Sequence, residues 1–204
     1  MNNIADIMAL APVIPVLVID DVGNAHAIAE ALVAGGLFAL EVTLRTPAAL
    51  DVIRAMSEIP GAVVGAGTVL NARDLDAAQA AGARFIVSPG LTSTVAEAAL
   101  AADIPLLPGV ATAGDIMRGL DAGLSNFKFF PAVASGGIPA LKALVAPFGK
   151  VRFCPTGGVT QASMAEWLAV PGVACVGGSW MVPGGPVDAA AIQVAASAAS
   201  GRRS

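Results

Sequence analysis

Eight short apolar runs recur along the chain, all but the first closed by Gly, Pro, Ser or Thr: residues 13–18, 39–43, 62–68, 84–89, 105–108, 126–131, 151–155 and 173–178. The runs are nearly all apolar instead of alternating, the pattern of parallel strands covered on both faces. Passing from Glu41 to Thr68, Pro89, Pro108, Lys128, Thr156 and Gly177, the steps are 19 to 28 residues, enough for one strand, one helix and two short loops. The segments between read as helices. Asn71 is a cap for a helix over 72–81 with Gly82 as its stop, Thr92 or Ser93 starts one over 95–102, and Thr160 starts one over 161–169. Eight such units predict an α/β fold of one domain, residues 1–204, built as a (β/α)8 TIM barrel. Residues 2–10 are expected to form a short helix closing the barrel's N-terminal end. The alternative is an open doubly wound sheet, which needs fewer strands; no dinucleotide fingerprint follows the first run.

The 204 residues suit one compact domain, and 56% hydrophobic against 13% charged residues excludes disorder. The mean hydropathy of +0.76 raises the question of a membrane protein. Much of it comes from Ala, and the apolar segments are cut by Gly, Pro or charge before they reach spanning length. The uncharged stretch 167–187 is itself broken by Gly and Pro in strand-and-turn order. The N-terminus has no basic region followed by a cleavage site, so no signal peptide is expected and the cytoplasm is the default. A net charge of -4 with scattered cations and no aromatic-basic interleaving argues against nucleic acid as a partner. Cys154 and Cys175 sit in apolar runs and read as buried free thiols.

In a barrel the chemistry sits at the C-terminal ends of the strands, so polar residues there are the candidates. Lys128, within Asn126-Phe127-Lys128-Phe129-Phe130-Pro131, is the least explicable as structure, because lysine is seldom buried without a partner. The other two lysines, Lys142 and Lys150, fall where solvent is expected. Lys128 reads as an amine whose pKa is lowered by apolar walls and a nearby cation, nucleophilic enough to form an imine with a ketone. The competing reading is a lysine that snorkels to the barrel mouth or balances a buried carboxylate. Glu41, in the second run, lies across the barrel from the sixth and could shuttle protons for imine chemistry, or else form a buried ion pair. Arg45, just past that run, could grip a carboxylate bidentately; on an open surface it would mean nothing. Thr156-Gly157-Gly158 and Gly177-Gly178-Ser179 follow runs seven and eight, where phosphosugar barrels bind phosphate through loop N–H groups and a following helix N-terminus. The single histidine, His26, falls in the first helix at an expected surface position. No cluster of ligating residues marks a strand end, so a metal-activated aldolase or epimerase lacks ligands, and no Ser-His-acid set is available.

Several of these segments together resemble the KDPG/KHG aldolase family, the 2-dehydro-3-deoxy-6-phosphogluconate and 4-hydroxy-2-oxoglutarate aldolases. The matching pieces are Glu41-Val42-Thr43-Leu44-Arg45-Thr46, Gly65-Ala66-Gly67-Thr68-Val69, Phe85-Ile86-Val87-Ser88-Pro89-Gly90, Pro108-Gly109-Val110-Ala111-Thr112, Phe127-Lys128-Phe129-Phe130-Pro131-Ala132, Phe153-Cys154-Pro155-Thr156-Gly157-Gly158-Val159 and Gly177-Gly178-Ser179-Trp180. They run through most of the chain in family order and at family spacing. The resemblance implies a homotrimeric class I aldolase on a (β/α)8 barrel, with a covalent lysine imine and neither metal nor cofactor. By motif position it implies that Lys128 carries the imine and Glu41 is the acid/base. Arg45, Thr68 and Pro89 would line the pyruvate end, with Phe130 packed beside the imine. Thr156 would face the substrate hydroxyls, while Gly157, Gly158, Gly178 and Ser179 would bind phosphate. The substrate expected is 2-dehydro-3-deoxy-6-phospho-D-gluconate, cleaved reversibly to pyruvate and D-glyceraldehyde 3-phosphate. Thr156 favours it over the galactonate epimer, whose enzymes tend to be apolar at that position. The alternatives are action on that epimer or on 4-hydroxy-2-oxoglutarate, a non-covalent phosphosugar isomerase or synthase barrel using Glu41 as base, and a non-catalytic phosphosugar-binding barrel.

Overall fold

A computed structural model of the chain describes residues 3–201. All eight apolar runs form strands: β1 (Val13–Leu17), β2 (Ala39–Thr43), β3 (Val63–Gly67), β4 (Ile86–Ser88), β5 (Leu106–Val110), β6 (Asn126–Phe129), β7 (Arg152–Pro155) and β8 (Val176–Gly178). Neighbours pair in parallel in the order β7-β6-β5-β4-β3-β2-β1-β8. Two parallel bridges, Phe153 with Val173 and Thr156 with Gly177, join the ends of that order and close the ring. The fold is the expected (β/α)8 barrel, not the open sheet.

The helices are α1 (Ile4–Met8), α2 (Ala25–Ala34), α3 (Ala49–Ser57), α4 (Ala72–Ala80), α5 (Ser93–Ala101), α6 (Ala113–Asp121), α7 (Gly137–Val145), α8 (Met164–Leu168) and α9 (Ala189–Ser200). The cap signals at Asn71 and Thr92 hold: each side chain accepts from the backbone N–H three residues on, Asp74 and Val95. Thr160 differs. Its hydroxyl accepts from the Ser163 N–H, but the turn it caps does not propagate, and α8 starts only at Met164. The expected N-terminal helix began at Asn2, which lies outside the described residues; α1 itself is capped by Asn3, which accepts from Asp6 N–H.

Two apolar cores share the strands by alternate residues. Leu40 and Val42 of β2 pack outward against the helices, while Ala39 points inward with Ile14, Val63, Phe85, Val87, Leu107, Cys154 and Cys175. Ile4, Ile7 and Met8 of α1 join this inner cluster, so the helix plugs one end of the barrel as expected. Burying a side chain such as Ile7 contributes roughly 1.5–3 kcal/mol, which is what ties so short a helix down. With that end filled, space for chemistry is left toward the C-terminal ends of the strands. His26 is exposed on α2 and stands 3.4 Å from Glu58, as a surface histidine should. Among the described residues no helix is long and apolar enough to cross a membrane.

Candidate active site

Strand β6 sets the site through its two-residue period. Phe127 and Phe129 point outward into the helix-side core, Phe129 meeting Trp167 of α8 with ring centroids 6.5 Å apart. Lys128, between them, therefore points into the barrel, in register with Gly109 of β5 and Cys154 of β7. The phenylalanines flanking it in sequence hold the strand against the helices and do not wall the amine. The aromatic beside it is Phe130, whose ring centroid is 5.2 Å from Nζ.

On β2, Glu41 takes the inward position above Ala39, and its Oε1 lies 3.0 Å from Lys128 Nζ. The residues are only 2% and 5% exposed. The pair is thus shielded from water, which screens it weakly and makes its geometry matter. Both readings of Glu41, proton carrier and buried ion-pair partner, have the same contact behind them.

A cavity of about 330 Å³ opens at this end of the barrel, and Lys128 lines it with Glu41 held against its amine. Arg45, Phe130 and Thr156 line it too, as do both glycine loops, including Gly157, Gly158, Gly178 and Ser179. Gly157 and Gly158 have φ of 99° and 82°, a region that L side chains rarely adopt, so this loop needs glycine for its path. Thr156 is 6% exposed and its hydroxyl donates to the Cys154 carbonyl at 3.3 Å.

Thr68 and Pro89 stand beside this cavity instead of forming its wall. Arg45 Nε donates to Thr68 Oγ1 at 3.3 Å, and Thr68 itself holds a left-handed φ of 59°. A threonine there is uncommon and strained, and it turns the hydroxyl toward the guanidinium. The carbonyl of Pro89 packs closely over Gly109, the β5 neighbour of Lys128.

Helix N-termini do not back the glycine loops. After Gly158 the next helix, α8, begins at Met164, and Ser179 opens only a turn closed by Val182 N–H at 3.4 Å. The two loops therefore bring backbone N–H groups and the Ser179 hydroxyl to the cavity without a helix dipole behind them.

The cavity also has walls with no polar signal in the sequence, namely Val16, Val18 and Val159. Two threonines of β2 and its following loop steady the Val16–Val18 segment: Thr43 Oγ1 donates to Leu17 O at 2.9 Å and Thr46 Oγ1 to Ile19 O at 2.8 Å. Both lie in the Glu41–Thr46 segment, yet nothing in their type separates a hydroxyl that ties strands from one that meets a ligand.

Cys154 and Cys175 are free and buried in the inner cluster, as expected. The hydrogen bond to Cys154, followed by burial and by the negative charges of Cys154 and Glu41, pushes the Cys175 thiol well above the ordinary thiol range. It is an inert packing group. Among the described residues no three His, Cys, Asp or Glu side chains are grouped as metal ligands.

The profile of the KDPG and KHG aldolase family matches residues 4–196. The chain is 60% identical over 200 residues to a 2-dehydro-3-deoxy-phosphogluconate aldolase of Zymomonas mobilis, covering 98% of this chain and 96% of that protein. It superposes with a TM-score of 0.97 on a crystal structure of the Zymomonas mobilis 2-keto-3-deoxy-6-phosphogluconate aldolase with 3-phosphoglycerate, at 59% identity and covering 100% of this chain and 97% of the other. A Legionella pneumophila KDPG aldolase, with pyruvate captured at low pH as a covalent carbinolamine intermediate, is 45% identical with a TM-score of 0.91 over 96% of this chain and 97% of its own.

Proposed function

The chain belongs to the KDPG and KHG aldolase family, and from that premise we propose that it cleaves 2-dehydro-3-deoxy-6-phospho-D-gluconate reversibly to pyruvate and D-glyceraldehyde 3-phosphate through an imine on Lys128. The observation that carries this is the buried amine of Lys128 at the cavity, 3.0 Å from the carboxylate of Glu41. A covalent carbinolamine of pyruvate in the Legionella relative supports the same chemistry.

The substrate lies with its carboxylate toward Arg45, whose fork is steadied by Thr68, and with Pro89 and Phe130 framing the pyruvate end. Lys128 passes a proton to Glu41 and its nitrogen attacks the C2 ketone, giving a carbinolamine. Glu41 returns a proton as water leaves, and the protonated imine results. Glu41, directly or through water, then takes the proton of the C4 hydroxyl. The C3–C4 bond breaks, its electron pair flows into the imine, and the aldehyde departs. The enamine is protonated at C3, and water releases pyruvate and the free lysine. Thr156 faces the substrate hydroxyls, and Gly157, Gly158, Gly178 and Ser179 hold the phosphate. The covalent lysine carries the chemistry, and neither a metal nor a cofactor has a step in it. The enzyme acts as a cytoplasmic homotrimer on this small phosphorylated 2-oxo acid.

The family description names a second substrate class, and 4-hydroxy-2-oxoglutarate needs the same imine and the same carboxylate grip. It lacks a phosphate for the glycine loops, so it is the slower substrate.

Treatment with pyruvate and borohydride is the test. The expected result is loss of activity with a reduced pyruvyl adduct on Lys128 by peptide mass spectrometry. An unmodified Lys128 in inactivated enzyme, or full activity in Lys128→Ala, overturns the mechanism.

A further inference from the structure

Glu41 can turn toward Lys128 only because the neighbouring strand carries no side chain at one position. In β3, residues 63, 65 and 67 share the inward face, and two of the three are glycine. The two glycines admit different things. A Cβ on Gly65 would stand 2.4 Å from the Phe85 ring, so this glycine makes room for part of the apolar interior. A Cβ on Gly67 would stand 2.3 Å from Glu41 Oε1, 2.7 Å from Cγ and 2.9 Å from Cδ. The carboxylate of Glu41 occupies the volume that a residue-67 side chain would take.

Nothing about the backbone asks for glycine at this point. Gly67 is not among the positive-φ glycines, and its strand pairing with Thr43 is regular. An alanine could follow the same path without strain, so what excludes it is volume alone. We propose that Gly67 is a positioning residue of the reaction: its missing side chain lets the Glu41 carboxylate lie against Lys128 Nζ. This rests on the reading of Glu41 as the proton carrier. The same device recurs across the barrel, where a Cβ on Gly177 would fall 2.2 Å from Thr156 Oγ1. Seen in this way, glycines of the inner face mould the site by subtraction, while the residues that meet the substrate stand on neighbouring strands.

Four proteins test the proposal: wild type, Gly67→Ala, Glu41→Ala and the double variant. In Gly67→Ala the displaced carboxylate cannot exchange protons with the lysine, so kcat falls by about 10²-fold or more while KM changes little, since Arg45 and the glycine loops are untouched. In the Glu41→Ala background the colliding atoms are gone, and adding Gly67→Ala lowers kcat no further. An equal loss in both backgrounds overturns the proposal, as does an undiminished kcat in Gly67→Ala. A crystal structure of Gly67→Ala gives the second readout, with Glu41 expected beyond ion-pair range of Lys128 Nζ, about 4 Å. A carboxylate still seated on Nζ also overturns it. Full activity in Glu41→Ala would mark failure of the proton-carrier reading instead, and the crystallographic distance would still decide whether Gly67 places the carboxylate. Should Gly67→Ala fold poorly, the double variant, which has no collision, should be as stable as Glu41→Ala and retain its low kcat; a double variant markedly less stable than Glu41→Ala counts against the proposal.

Discussion

Lys128 Nζ and Glu41 Oε1 meet at 3.0 Å although 87 residues of chain separate them, and both are buried. A buried ion pair is weak evidence for stability, because desolvation offsets much of the attraction. Breaking it is another matter. Lys128→Met leaves an unpaired carboxylate and should cost roughly 3–5 kcal/mol in urea unfolding, whereas Lys128→Met with Glu41→Leu should lie near wild type or above it. Both variants should be inactive. A pair that stabilised the barrel for its own sake would instead leave the double variant well below wild type.

Arg45 and Thr68 should separate binding from chemistry. Removing the guanidinium in Arg45→Ala deletes a charge-assisted contact of about 1.5–3 kcal/mol, which is roughly ten- to a hundred-fold in KM. Arg45→Lys should recover little, since an ammonium cannot reproduce the fork. Thr68→Ala loses only the hydrogen bond to Nε, at 3.3 Å, and should raise KM several-fold with kcat preserved. Steady-state kinetics with varied 2-oxo acid checks all three; a fall in kcat with KM unchanged in Arg45→Ala would contradict the assignment.

The eight strands were legible because each is covered on both faces and therefore reads as a nearly continuous apolar run. That same property hid which residues face inward. Phe127 and Phe129 look like the walls of Lys128 in sequence, yet they face the helices; in a strand of four residues only Asn126 and Lys128 mark the period of two. Nothing in the sequence separates Gly67 from an ordinary strand glycine, since the volume it vacates is filled from another strand. Val16, Val18 and Val159 carry no chemical mark that distinguishes a cavity wall from core. The delayed start of α8 has a different cause: Thr160 does cap, but the local turn with Ser163 uses the cap before the helix begins.

Asp115 offers a pH test away from the site. It is the third residue of α6 and closes a capping box with Thr112. Its partial burial pulls the carboxyl up, but the N–H of Ala111, the hydroxyl and N–H of Thr112 and the charge of Arg118 outweigh that and hold it below the usual carboxylate value. A depressed folded-state pKa contributes stability above the unfolded value, near 3.8, and loses it as pH falls through the lower folded value. Asp115→Asn should therefore cost about 1 kcal/mol at neutral pH, and the gap to wild type should narrow in acid, as pH falls from 3.8 through the lower folded value. Urea melts at both pH values measure it; a gap that persists in acid would mean the loss is steric.

The glycine loops give the sharpest separation of the two ends of the substrate. Gly158 has φ 82°, and a Cβ there would stand 2.6 Å from a methyl of Val133 and 2.8 Å from its Cβ, so Gly158→Ala must shift the loop. Holding alanine in the left-handed region costs about 1–2 kcal/mol in addition. Lys128 and Glu41 belong to β6 and β2 and do not move with this loop, so imine formation with pyruvate should proceed as in wild type. The phosphorylated substrate should suffer, with KM raised about tenfold or more, while 4-hydroxy-2-oxoglutarate, which has no phosphate to place, should be turned over nearly unchanged. Val133→Ala removes the methyl at 2.6 Å but leaves the Cβ contact at 2.8 Å and the backbone strain, so it should restore only a small part of the loss. Equal impairment of both substrates would mean that the loop shapes the lysine pocket itself, and the phosphate would then have to be bound elsewhere.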